Sequence, residues 1–106
     1  MENKPVTPSI YDLCAEILAL LYANDDILFE DDHRDALRKV KQLSEILHPK
    51  SKAEKLYDIL KKGYDDYLEQ DDLFEAQEIA ADLAIEYAKQ EHRQLEFVRS
   101  FPWIQV

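Results

Sequence analysis

"QDDLFEAQ", residues 70–77, repeats a pattern already seen in "NDDILFE", residues 24–30. Each acidic pair follows a Tyr-Asp pair at the same distance: Tyr11-Asp12 before Asp25-Asp26, and Tyr57-Asp58 before Asp71-Asp72. Both copies fall between two stretches with apolar residues at three- and four-residue spacing. A short acid at a helix start accepts hydrogen bonds from the free N–H groups of the first turn and faces the positive end of the helix dipole. The doubled pair therefore reads as the turns of two successive helical hairpins, and four amphipathic helices with short connections predict an all-α, antiparallel four-helix bundle.

Working outward from these turns sets the boundaries. Thr7-Pro8 marks a helix start, and Ile10, Leu13, Cys14, Ile17, Leu18 and Leu21 form one stripe, giving a helix over 8–23. Ala36, Leu37, Val40, Leu43, Ile46 and Leu47 follow the acidic "EDDHRD" and end at His48-Pro49, giving 32–48. Ser51 with Glu54 fits a capping box, and Ala53, Leu56, Tyr57, Leu60, Tyr64, Tyr67 and Leu68 extend that helix over 51–70. Asp72 with Glu75 opens a fourth helix, in which Ala76, Ile79, Ala80, Leu83, Ala84, Tyr87 and Ala88 are apolar. Leu95 and Val98 keep the spacing, so this helix is expected to run unbroken over 72–98. Pro102 breaks it, leaving an extended tail over 99–106. The 106 residues suffice for one core and one domain.

Composition narrows the function classes. The net charge is −10, and its distribution is uneven: residues 34–62 carry nine basic against four acidic residues, whereas 63–86 carry nine acidic residues and no basic one. Without a dominant basic face, binding to nucleic acid is not expected. The longest apolar run, "ILALLYA" at 17–23, is far short of a membrane span, and the N-terminus lacks a basic region leading into an apolar one. A single cysteine excludes an internal disulfide and agrees with a reducing compartment, so a cytoplasmic location is expected.

Catalytic and metal chemistry finds little support. Glu-x-x-His occurs at Glu30…His33 and Glu45…His48, but fifteen residues of helix separate the copies by about 22 Å, too far to share a metal centre. Cys14 lies within an apolar stripe, the ordinary place of a small buried thiol. Gly63 is the only glycine, which excludes a glycine-rich phosphate loop. No catalytic residue, cofactor or metal is expected, and the chain reads as a non-enzymatic protein-binding module. "SFPWIQV", residues 100–106, is too rich in large apolar groups to be idle. Arg99, Phe101, Trp103 and Ile104 are the candidate partner-binding residues.

In length, helical pattern and apolar C-terminal extension (Phe101, Pro102, Trp103, Ile104, Val106), the chain resembles the small bacteriocin immunity proteins of the enterocin and pediocin type. "LALLYANDDI", residues 18–27, followed by a charged second helix, is similar to the start of that family. The resemblance implies a protein that protects a producer cell from its own pore-forming peptide. Such a protein binds a membrane receptor–bacteriocin complex from the cytoplasmic side, with specificity in the C-terminal half. At the inner face of the membrane only the basic 34–62 stretch suits an anionic leaflet. The alternative expectation is a helical adaptor or regulatory protein acting through its acidic face.

Overall fold

The structure, a computed structural model, describes residues 9–24, 27–47 and 51–104. It is all-helical and compact: α1 (Ile10–Tyr22), α2 (Glu30–Ile46), α3 (Ser51–Asp65), α4 (Gln70–Gln90) and α5 (Gln94–Ser100). No strand occurs among the described residues. The helix-start pair Thr7-Pro8, the acidic pair Asp25-Asp26, the stop at His48-Pro49, Lys50, the Ser51 side chain and Val106 lie outside the described residues.

Helix α1 packs on α2 and α4, and α3 packs on the same two helices, so one apolar core fills the space between them. Ser9 caps α1: its Oγ accepts the backbone N–H of Asp12 at 3.0 Å. Helix α4 then serves both ends of α1. Glu91 accepts the N–H of Tyr11 at 3.0 Å, and Gln77 donates to the carbonyl of Leu21 at 2.9 Å. First-turn N–H groups and last-turn carbonyls lack partners within a helix, and here a neighbouring helix supplies them. Since Tyr11 meets the end of α4 and Leu21 its beginning, these two helices run in opposite directions. Ala76, Ala80, Ala84 and Ala88 give α4 a smooth buried face.

Helix α2 covers 30–46 instead of 32–48, starting after Phe29 so that Glu30, Asp31 and Asp32 all fall in its first turn at the positive end of the dipole, and three further boundaries are corrected. Helix α3 ends at Asp65 instead of residue 70, because the chain turns back so that Leu68 lies on Gly63. A Cβ at Gly63 would stand 2.5 Å from Leu68 Cδ1 and 2.8 Å from its Cβ, so only glycine leaves room. Tyr64 and Tyr67, expected in the core, are exposed as a result. Helix α4 begins at Gln70 with Glu69 as N-cap. Asp71 and Asp72 therefore sit inside its first turn and act through the dipole instead of as caps.

The last correction matters most for the site. The expected helix over 72–98 is two helices. His92 adopts a left-handed conformation (φ 58°), the N–H of Arg93 bonds to the carbonyl of Ala88 at 2.7 Å and that of His92 to Lys89 at 3.3 Å. This paired pattern closes a helix C-terminus and is usually built on glycine. After the break, Phe97 and Phe101 turn inward, while Leu95 and Val98, expected to continue the stripe, face out. Residues 99 and 100, expected in the tail, belong to α5.

Candidate functional site

The candidate site is the C-terminal ledge that α5 and the residues after it form beside α1. Its position is fixed by Arg93, just past the left-handed turn. The Arg93 guanidinium pairs with Asp12 at 2.8 Å and Glu96 at 2.7 Å, donates to Ser9 Oγ at 3.1 Å, and lies 4.6 Å from the centre of the Tyr11 ring. These contacts join the start of α1 to the start of α5. They also perturb the acid concerned: the hydrogen bond from Arg93 holds the Asp12 carboxyl below its ordinary range. Tyr11 is fully buried, and burial pushes its phenol upward.

From this joint α5 lays Phe97 and Phe101 on the core, their ring centres 5.3 Å apart. Phe101 meets Trp103 edge-on at 5.7 Å, and Trp103 meets Tyr22 of α1 edge-on at 5.5 Å. Edge-to-face geometry sets the positive rim of one ring against the negative face of another. A cleft of about 380 Å³ runs beside these rings, with Tyr22, Phe101 and Trp103 at one part and the carboxylates of Asp12, Glu16 and Glu96 among its lining.

The four residues singled out in the sequence have distinct places. Phe101 is only 4% exposed and is the C-cap of α5, so it anchors the tail to the core. Trp103 is 57% exposed although two rings hold it. Ile104 is half-buried against the core, and Arg99 is exposed on α5. Sequence reasoning missed Glu91, Arg93, Tyr11 and Phe97. The four-residue spacing of Phe97 and Phe101 was the available signal for α5, but "EHR" at 91–93 contains none of the usual helix breakers.

Reactive groups lie elsewhere and are otherwise engaged. Cys14 is buried, and burial pushes its thiol up to about 12. The buried His33 donates from Nε2 to the carbonyl of Leu60 at 2.7 Å, which ties α2 to α3. Among the described residues no group of three or more His, Cys, Asp or Glu side chains is placed to hold a metal ion, and no helix is long and apolar enough to cross a membrane. No protein-family model matches the chain, and no curated protein or solved structure matches it either.

Proposed function

We propose that the chain is a non-enzymatic protein-binding module in which α1 to α4 form an antiparallel four-helix bundle and the C-terminal ledge presents Trp103 to a protein partner. One observation carries this reading. Trp103 is wedged edge-on between Tyr22 and Phe101 and yet remains more than half exposed. Leaving a large apolar side chain in water forgoes roughly 1.5 to 3 kcal/mol. A tryptophan whose orientation is fixed before binding loses little freedom when a partner covers it, and tryptophan is prominent among binding hot spots. Arg99 is exposed on α5, four residues before Trp103 in the chain.

Within this reading the narrower role is bacteriocin immunity, exercised in the cytoplasm at the inner face of the membrane against a receptor–bacteriocin complex. Its support is the resemblance in length, helical pattern and C-terminal extension. The test is expression of the intact chain and of Trp103→Ala in a sensitive Gram-positive strain, followed by challenge with purified pediocin-type peptides. Protection by the intact chain and its loss in the variant is the expected result. Absence of protection by the intact chain against every peptide of that class removes the immunity role. Protection that survives Trp103→Ala removes Trp103 as its anchor.

A further inference from the structure

A second cleft, of about 440 Å³, lies where the start of α2, the end of α3 and the start of α4 meet. It shares no lining residue with the ledge around Trp103. Leu68 folded over Gly63, together with Leu73 and the buried His33, forms its apolar part. Tyr64 and Tyr67 stand at its edge, and Tyr67 is 72% exposed. Ile27 (58% exposed) also lines it, and with Phe29 and Phe74 five of the nine exposed large apolar side chains among the described residues fall within 27–29 and 64–74.

The charged side chains that line this cleft are all acidic, and the cations Arg34 and Lys61 stand on its Tyr64 side. Glu30, Asp66 and Glu69 line it, and none of the three forms an ion pair with a described cation. Arg34 pairs with Asp31 and also faces the Tyr64 hydroxyl and Glu30, and Lys61 pairs with Asp65, so the uncompensated acids of the cleft are Asp66 and Glu69 beside Tyr67. Carboxylates and the faces of tyrosine rings both attract a cation, and the apolar part suits a hydrocarbon side chain. An anionic ligand or an anionic lipid surface meets two uncompensated like charges here. The chemistry that fits is a positive head carried beside an apolar body.

We propose that this cleft docks a basic segment of a partner protein. An Arg or Lys of that segment lies against Tyr67 with its charge toward Asp66 and Glu69, and a neighbouring apolar side chain rests on Leu68 and Leu73. The inference is independent of the role assigned to Trp103, because the two clefts have no residue in common.

The test uses the full chain and two synthetic helical peptides, one with Arg and Leu four residues apart on the same face and one in which every Arg is replaced by Glu. Gly63 is the only glycine in the chain, so its amide is a single, assignable reporter at the floor of the cleft. The Arg peptide is expected to move the amide signals of Gly63, Tyr64, Tyr67 and Leu68, and the Glu peptide to move none of them. Neutralising the rim with Asp66→Asn and Glu69→Gln together is expected to weaken binding roughly tenfold or more. Tyr67→Ala, at a side chain too exposed to hold the fold, is expected to weaken it as well and decides the matter if the double variant does not fold. Equal binding of the Glu peptide, signal changes centred on Trp103, or undiminished binding by Tyr67→Ala overturns the proposal. A dimer in sedimentation that dissociates on Tyr67→Ala assigns the face to a second copy of the chain and overturns it too.

Discussion

Glu91 and Tyr11 stand eighty residues apart in the chain, and the carboxylate of the first accepts the backbone N–H of the second at 3.0 Å. Through this bond the last residue of the α4 terminus caps α1, and two residues later Arg93 binds Asp12 and Ser9 on the same helix. The left-handed turn at His92 brings both groups to α1. The joint thereby sets the direction in which α5 departs and the place at which Trp103 emerges.

The joint should show its charge dependence in acid. Asp12 has a folded pKa below its unfolded value of about 3.9, so its contribution to stability is present above that pH and is lost as pH falls through the folded value. Arg93→Ala should lower the melting temperature at pH 7, with a gap to the intact chain that narrows at pH 3. The side chains are partly exposed, so the effect is modest. Melting curves at the two pH values check this, and a gap that does not change with pH contradicts it.

Phe101 and Trp103 are two residues apart and should behave oppositely. Phe101→Ala empties a site in the core and should cost about 3 to 5 kcal/mol. Trp103→Ala, at a position more than half exposed, should cost under about 1 kcal/mol. Denaturant titrations of both variants decide this, and equal losses would mean that the tail packs as one unit.

Gly63→Ala gives a prediction against helix propensity. Alanine in a helix interior is ordinarily favoured over glycine by about 1 kcal/mol. Here the added methyl meets the Cβ of Leu68 at 2.8 Å and its Cα at 3.2 Å, so the turn after α3 must move. The variant should melt below the intact chain and shift the amide signals of residues 66–69. A stabilised variant with those signals unchanged would place Leu68 elsewhere.

Much of the helical pattern was legible because it depends on local periodicity. The stripes through Ile17 and Leu21, Ala36 and Val40, Leu56 and Leu60, and Ala80 and Ala84 are all buried. What the sequence concealed depends on contacts between distant residues. The break at His92 has no glycine or proline to announce it, and it is held by the Glu91 and Arg93 contacts to α1. His33 and Gln77 look like surface residues in a charged helix, yet each is buried because one carbonyl on another helix, Leu60 or Leu21, lies within reach. At the site, the aromatic tail could be singled out from composition alone. Its division into a buried Phe101 and a presented Trp103 required the path of α5.

The most direct measurement of the central claim places a photo-crosslinking residue, p-benzoylphenylalanine, at position 103 and, as a control, at the equally exposed position of Leu95 on α5. Irradiation of native host cells carrying each variant should give a discrete protein adduct from position 103 and none from position 95. Adducts of the same kind from both positions, or from neither, would contradict the reading of Trp103 as the anchor for a protein partner.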